Sequence, residues 1–132
     1  MILVDTNVLL DLLRDDQLWA GWSTQALDEA GGRDLLAINP IVYAELSSQF
    51  DRIEELDSAI RSLNLNLVEI PKAALFLAGH AFRRYRRAGG AKTNVLPDFF
   101  IGAHAAVARA TLLTRDVKRV RPYFPTVTVI AP

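Results

Sequence analysis

The amino-acid sequence predicts an α/β fold, with a mostly parallel central sheet of about four or five strands and helices on both faces. Short apolar runs alternate along the chain with longer segments of helical periodicity, and Pro and Gly residues mark the boundaries between them. The chain has 132 residues, 51% of them apolar and 23% charged, which suits one hydrophobic core. We therefore expect residues 1–132 to form a single three-layer α/β/α domain.

The first part of the chain predicts a strand, two helices and a second strand. Residues 2–4 form a short apolar run typical of a buried strand, and Asp5 can cap a helix that continues to Arg14. A second helix is expected from residue 16 to about residue 30, where two glycines end it. Residues 35–38 are the second strand candidate.

The middle of the chain adds two helices and a third strand. Asn39 can cap a helix whose first residue is Pro40, which places Glu45 inside that helix. Residues 51–63 are expected to be helical, and residues 67–70 are expected to form a strand.

The last part of the chain predicts two more helices and two more strands. Pro71 begins a long helix that ends at two glycines, and Pro97 begins another that continues to about Arg109. Residues 111–113 and 126–130 are the last strand candidates. Strands that alternate with helices in this way require crossover connections and a parallel sheet.

The composition restricts the classes of function open to this chain. It contains no Cys, which excludes a disulfide scaffold, a thiolate zinc site and a cysteine nucleophile. Residues 1–5 carry no basic leader and no apolar run is long enough to span a membrane, so we expect a cytoplasmic protein without a signal peptide. Residues 1–82 hold 13 acids and five bases, a net charge of −8, whereas residues 83–132 hold two acids and ten bases, a net charge of +8. The basic half indicates either binding to a polyanion or a solvated helix face.

Four acidic residues are candidates for one catalytic site: Asp5, Glu45, Asp98 and Asp116. Asp5 and Asp116 follow predicted strands, and the carboxyl ends of parallel strands share the edge where ligands bind. Each acid alone can be explained as a helix cap, a partner of the helix dipole or a solvated side chain. The apolar neighbours of Asp5, Asp98 and Asp116 favour a shared site, because surface acids seldom have such neighbours.

A cluster of carboxylates needs a counter-charge, because like charges repel one another strongly in a site of reduced dielectric. Oxygen ligands without Cys or a pair of His residues indicate a hard divalent cation, Mg²⁺ with Mn²⁺ as an alternative. We expect Asp5, Asp98 and Asp116 to bind it. His80 and His104 lack a partner at metal-ligand spacing, and both are expected to be structural.

Three polar residues stand beside these acids in the sequence: Thr6, Asn7 and Thr114. Their side chains can orient the carboxylates or hold a water molecule. Capping and turn hydrogen bonds explain them equally well. We expect one or two of the three to support the site.

Four short motifs occur in an order and spacing that carry a family resemblance. They are Val4-Asp-Thr-Asn7, Tyr43-Ala-Glu-Leu46, Pro97-Asp-Phe-Phe-Ile-Gly-Ala-His104 and Leu112-Leu-Thr-Arg-Asp116. Together they resemble the PIN-domain ribonucleases, and among these the VapC toxins, over nearly the whole chain. The chain departs from the pattern at Phe99 and Phe100, where small residues are common, and at Val120, where an aromatic residue often stands.

The resemblance implies a PIN-like fold and Mg²⁺-dependent endoribonuclease activity. It places Asp5, Glu45, Asp98 and Asp116 at the positions of the family's acidic residues, and Thr114 matches their usual neighbour. It also implies a VapB-type antitoxin that covers the acidic site, and a homodimer as the working unit. Apolar helix positions that exceed the needs of a small core suggest the dimer face, namely Leu9, Leu13, Trp19 and Trp22.

The basic half is expected to bind the RNA substrate, since an acidic pocket alone repels a polyanion. The predicted phosphate contacts are Arg86, Arg87, Arg115 and Lys118. Two alternatives remain open. A receiver-like domain phosphorylated on Asp fits less well, because receivers need an adjacent acid pair after the first strand, and Asn7 stands where aspartyl phosphatases have a second Asp. A non-catalytic RNA-binding module of the same fold would use its acids only as caps.

Overall fold

A computed structural model describes residues 1–92 and 94–132 of the chain. Within these residues, strands and helices alternate along the sequence, and helices cover both faces of a central sheet. The predicted three-layer α/β/α fold is therefore confirmed.

The central sheet is parallel throughout. Its strands are β1 (Ile2–Val4), β2 (Leu36–Ile38), β3 (Leu65–Leu67), β4 (Thr111–Leu113) and β5 (Val129–Ile130), in the spatial order β3-β2-β1-β4-β5. The chain moves outward from β1 to β3 and then returns to the other side of β1, so the topology reverses between β1 and β4. Ligands of open parallel sheets bind at such a reversal, beyond the carboxyl ends of the strands.

The strands are connected by helices whose predicted caps are confirmed. The helices are α1 (Thr6–Leu13), α2 (Ala20–Gly31), α3 (Pro40–Ser47), α4 (Ile53–Ser62), α5 (Lys72–Arg87), α6 (Leu96–Ala108) and α7 (Val120–Tyr123). The Asp5 carboxylate accepts a hydrogen bond from the Thr6 amide at the start of α1. The Asn39 side chain accepts from two amides at the start of α3. In the described part of the chain, no helix combines the length and the apolar character that crossing a membrane requires.

The core fixes the strand ends from which the candidate site is built. Every residue of β1 and β2 is buried, as are Leu112 and Leu113 in β4. Burying a large apolar side chain contributes about 1.5–3 kcal/mol, so these short strands are held mainly by packing. Gly102 lets α6 approach α7, because a Cβ atom at that position would lie 2.5 Å from the Phe124 ring.

The third strand lies at Leu65–Leu67 rather than at residues 67–70 as predicted. Asn64 adopts a left-handed conformation with φ of 55°, which turns the chain from α4 directly into the strand. The side chain of Asn66 then donates a hydrogen bond to the Leu36 carbonyl oxygen, so this polar residue belongs to the edge strand.

Two further boundaries differ from the prediction by more than two residues. α2 begins at Ala20 rather than at residue 16, because the Asp16 carboxylate accepts hydrogen bonds from the amides of Leu18 and Trp19 and forms a turn ahead of the helix. The last strand is confined to Val129–Ile130 rather than residues 126–130, because a turn follows Phe124.

Most of the apolar residues predicted to form a dimer face pack against other residues of the same chain. Leu9 is 1% exposed and belongs to the core, so the prediction is wrong for this residue. Trp19 and Trp22 are half-buried and meet edge to face, with ring centroids 6.4 Å apart. Leu13 is 37% exposed. The homodimer stays a prediction, but these four residues give it little support.

Candidate active site

The four predicted carboxylates form one electrostatically connected group. Asp5 follows β1, Asp116 lies in the turn after β4, Glu45 belongs to α3, and Asp98 lies in the first turn of α6. The charges of Asp98 and Glu45 raise the pKa of Asp5, and the charges of Asp116 and Glu45 raise the pKa of Asp98. The charges of the group therefore oppose the ionisation of its two half-buried members, Asp5 and Asp98.

Asp5 is the most strongly perturbed member of this group. Burial raises its pKa from 3.8 to about 7, against the opposing effect of hydrogen bonds from Thr114 and Thr6. The Thr6 amide donates to Oδ1 at 2.7 Å, and the Thr114 hydroxyl donates to Oδ2 at 2.7 Å. The carboxyl group is thus fixed in place, yet its negative charge is disfavoured unless a cation approaches.

Thr114 connects Asp5 to the turn that carries Asp116. Its buried hydroxyl accepts a hydrogen bond from the Asp116 amide at 3.1 Å. The Asn7 side-chain amide donates to both Asp5 and Thr114 at 3.3 Å, and Asn7 Oδ1 accepts from the Arg115 amide at 3.1 Å. These bonds hold the start of α1 against the turn after β4.

Glu45 is held by Thr6. The Thr6 hydroxyl donates to Oε1 of Glu45 at 2.7 Å, and Thr6 itself is buried while Glu45 is exposed. Thr6, Asn7 and Thr114 therefore all bond to candidate carboxylates or to the turn beside them, whereas the sequence led us to expect one or two such residues.

Asp98 is placed by its helix rather than by hydrogen bonds. Burial raises its pKa from 3.8 to about 6; the charge of Asp116 adds to the shift and that of Arg119 opposes it. None of the hydrogen bonds formed within the described residues involves the Asp98 carboxylate. Its neighbour Phe99 is fully buried and anchors this end of α6.

His104 is structural, as expected. It is 2% exposed, and burial lowers its pKa. Its Nδ1 lies 3.2 Å from the side-chain nitrogen of Asn39. His80 is exposed on α5, where its ring packs at a tilt of 38° against Phe76.

The predicted phosphate contacts fall into two groups. Arg86 and Arg87 are exposed in the last turn of α5, and Lys118 is exposed in the turn after Asp116. Arg115 differs, since its guanidinium binds the Asp11 carboxylate through Nε at 2.6 Å and through a terminal nitrogen at 2.9 Å. This geometry favours a structural function for Arg115 and weighs against the predicted contact with RNA.

Asp11 was missed by the sequence reasoning. It is 3% exposed and also accepts a hydrogen bond from Ser23 at 2.6 Å, while the Arg115 guanidinium packs over the Trp19 ring at 4.9 Å. These contacts join α1, α2 and the turn after β4. An acid between Leu10 and Leu12, in the apolar part of α1, is the one sequence sign of this buried ion pair.

Arg119 was also missed, and its charge lowers the pKa of Asp98. Nothing in the sequence distinguishes it from the other residues of the basic half.

The donor set matches a hard divalent cation in chemical type. All four side chains offer carboxylate oxygens, and a bound cation would stabilise the ionised forms of Asp5 and Asp98 that the site otherwise disfavours. Among the described residues, no three His, Cys, Asp or Glu side chains are already grouped to hold a metal ion.

Comparisons with known proteins agree with this fold. No match was found among curated protein sequences. Similar solved structures include VapBC2 from Rickettsia felis bound to a DNA fragment of its promoter, with 22% identity, a TM-score of 0.73 and coverage of 99% of this chain and 98% of that chain. VapBC-1 from nontypeable Haemophilus influenzae has 22% identity, a TM-score of 0.72 and coverage of 99% and 98%. A toxin-antitoxin complex from Klebsiella pneumoniae has 24% identity, a TM-score of 0.70 and coverage of 98% and 96%.

The family assignment rests on a direct match of the sequence. The family model described as PIN domain matches residues 2–124, a range that includes all four candidate carboxylates and their hydrogen-bonding neighbours. With this match and the parallel five-stranded sheet, the chain belongs to the PIN-domain family.

Proposed function

We propose that this protein is a metal-dependent endoribonuclease that acts as the VapC-type toxin of a type II toxin-antitoxin pair. The observation that carries the proposal is the connected group of Asp5, Glu45, Asp98 and Asp116 beside the reversal of sheet topology. Nuclease activity is general among VapC toxins of the PIN family, and the similar solved structures are toxin-antitoxin complexes, which favours the toxin assignment.

The proposed cofactor is Mg²⁺, with Mn²⁺ as an alternative, held by Asp5, Asp98 and Asp116. When bound, such a cation neutralises charge on the phosphoryl oxygens and lowers the pKa of a coordinated water. Thr114 and the Thr6 amide keep the Asp5 carboxylate in position for this task. Thr6 fixes Glu45 through Oε1, and the other carboxylate oxygen would accept a proton from the attacking water.

The RNA substrate is drawn in by basic side chains. Arg86, Arg87 and Lys118 are exposed and lie in the half of the chain whose net charge is positive. They would offset the repulsion between a phosphate backbone and the acidic group. Arg115 is not included, because its guanidinium is already bound to Asp11.

The proposed partners are a VapB-type antitoxin and a second copy of this chain. An antitoxin Arg can satisfy clustered carboxylates with its planar fork of donors and thereby exclude the cation. The similar structures from Rickettsia felis and Haemophilus influenzae are VapBC complexes, which supports a partner of this kind. RNA in the cytoplasm is the expected target.

A cleavage assay with the purified protein tests the proposal. Total cellular RNA is incubated with wild type, with Asp98→Asn and with Asp28→Asn, each in Mg²⁺, in Mn²⁺ and in chelator. Asp28 is an exposed acid on α2 and serves as the matched control. We expect cleavage by wild type and Asp28→Asn in either metal, none by Asp98→Asn, and none in chelator.

Three results would count against the proposal. Cleavage that survives the chelator would rule out the metal mechanism, and equal cleavage by Asp98→Asn would remove that residue from the site. RNA binding without cleavage under every condition would support the non-catalytic alternative instead.

A further inference from the structure

Arg119 lies three residues beyond Asp116, and its charge is paired with no acid among the described residues. It immediately precedes α7 and is half-buried, and its Nε is buried with no hydrogen-bond partner among the described residues. A buried charged donor without an acceptor is costly, and native structures rarely leave one unexplained.

Tyr85 holds the Arg119 guanidinium in place. The central carbon of the guanidinium lies 5.6 Å from the centre of the Tyr85 ring. The ring in turn packs against Phe99 at 5.5 Å, Phe82 at 5.9 Å and Tyr123 at 6.2 Å between centroids. Arg119 is therefore organised before any ligand arrives, which reduces the entropy lost when it binds one.

The guanidinium lies close to the catalytic acids but is not neutralised by them. Arg119 follows Asp116 closely in the chain, and the Tyr85 ring beneath its guanidinium packs at 5.5 Å against Phe99, the neighbour of Asp98. No ion pair between Arg119 and either acid forms in the described residues. A purely structural counter-charge would be expected to make a short, hydrogen-bonded pair, as Arg115 does with Asp11. Nε is the buried nitrogen of Arg119, so the terminal nitrogens, which form no hydrogen bond within the described residues, are the donors available to another anion.

We propose that Arg119 is a substrate-contacting residue, whose guanidinium binds the non-bridging oxygens of an RNA phosphate at the acidic site. The inference rests on the proposed ribonuclease function and adds a residue to it. A planar fork of donors matches two phosphate oxygens. Arg119 supplies the positive charge that the acids themselves cannot.

The first test compares Arg119→Met, Arg119→Lys and Arg121→Met in cleavage of a short single-stranded RNA. Arg121 is an exposed arginine two residues further along the chain and is the matched control. We expect Arg119→Met to lower kcat/KM by about 10- to 100-fold, because a charge-assisted hydrogen bond is lost. Arg119→Lys should recover part of the loss, and Arg121→Met should resemble wild type.

The second test separates phosphate binding from a merely structural function. The affinity for the same RNA is measured against salt concentration in the Asp98→Asn background, where no cleavage is expected. Arg119→Met loses one phosphate contact, so the slope of log K against log salt concentration should become shallower by about 0.7. Arg119→Lys keeps the charge, so its slope should equal that of the protein with Arg119. Tyr85→Leu, which removes the ring but keeps Arg119, should lower affinity, whereas Tyr85→Phe should not.

The two proposals fail in different ways. Wild-type kcat/KM and an unchanged salt slope in Arg119→Met would overturn the assignment of Arg119 while the ribonuclease stands. Absence of cleavage by wild type would overturn the ribonuclease, and the salt slope would still decide whether Arg119 binds phosphate. The assignment would also be overturned if the melting temperature of Arg119→Met fell so far that unfolding accounted for its whole loss of activity.

Discussion

The side-chain nitrogen of Asn39 lies 3.2 Å from Nδ1 of His104, and this buried contact joins α3 to α6. Asn39 Oδ1 already accepts hydrogen bonds from the amides of Ile41 and Val42, so its NH₂ group faces the histidine. Nδ1 is then the unprotonated nitrogen of a neutral ring, in agreement with the lowered pKa of His104. Because α3 carries Glu45 and α6 carries Asp98, the contact sets the spacing of two site helices.

Replacing His104 with Ala should destabilise the protein. The change opens a cavity in the core and leaves the Asn39 donor without an acceptor, so we expect a loss of about 2–3 kcal/mol in the free energy of unfolding. Urea denaturation measures it. His80→Ala, on the exposed face of α5, should change the free energy by less than about 0.5 kcal/mol. Equal effects of the two substitutions would contradict the structural importance of the Asn39–His104 contact.

Replacing Arg115 with Met should reduce stability and leave RNA binding nearly unchanged. Asp11 is 3% exposed and would be left as a buried charge without its partner, at a cost of about 2–4 kcal/mol. In a double-mutant cycle, Asp11→Asn should recover part of this loss when combined with Arg115→Met. Weaker RNA binding by a fully folded Arg115→Met protein would instead support the contact between Arg115 and an RNA phosphate that the sequence predicts.

The sequence predicts the site where neighbouring residues determine the local structure. Asp5 and Asn39 were identified as helix caps from residue type and position, and Pro40 fixed the start of the helix that carries Glu45. The strand ends could then be brought to one edge, because parallel topology leaves few arrangements. Asp5 and Asp116 were therefore expected at the same edge, and the hydrogen bond between Thr114 and Asp5, 109 positions apart, forms there.

Contacts that depend on side-chain packing between distant segments could not be predicted in this way. His104 stands in an Ala-rich helix, which indicates burial but not that Asn39, 65 positions earlier, is its partner. The pairing of Arg115 with Asp11 depends on how α2 packs against α1, and a basic residue next to Asp116 looked equally suited to phosphate. The position of β3 depended on one left-handed residue, Asn64, which a pattern of apolar residues does not reveal.

Replacing Arg86 and Arg87 together with Gln should weaken RNA binding through electrostatics alone. Both side chains are exposed at the end of α5, so we expect little change in stability. Each residue that contacts a phosphate should reduce the salt slope of binding to single-stranded RNA by about 0.7, and kcat should be nearly unchanged. Binding isotherms at several salt concentrations measure the slope. If the slope does not change, these arginines belong to a solvated helix face.

Replacing Asp98 with Asn should raise the stability of the metal-free protein at neutral pH. Burial, with the charges of Asp116 and Glu45, raises the pKa of Asp98 from 3.8 to about 6, and Arg119 only partly opposes this. Because the folded pKa lies above the unfolded value, the folded state binds the proton more tightly. This favourable contribution is complete below the unfolded pKa of 3.8 and is lost as the pH rises through about 6.

Residue 98 does not titrate in the Asn variant. The amount by which the free energy of unfolding of this variant exceeds that of wild type should therefore grow between about pH 4 and pH 6 and then level off. Solvent screens this partly exposed group, so we expect a plateau of about 1 kcal/mol. Thermal unfolding in chelator across this pH range measures the difference, with Asp28→Asn as the control that should follow wild type. Added Mg²⁺ should narrow the gap, since a cation stabilises the ionised carboxylates only where Asp98 is present. A variant that melts below wild type near neutral pH in chelator would show that Asp98 is not under electrostatic strain, and would weaken the argument that these acids await a cation.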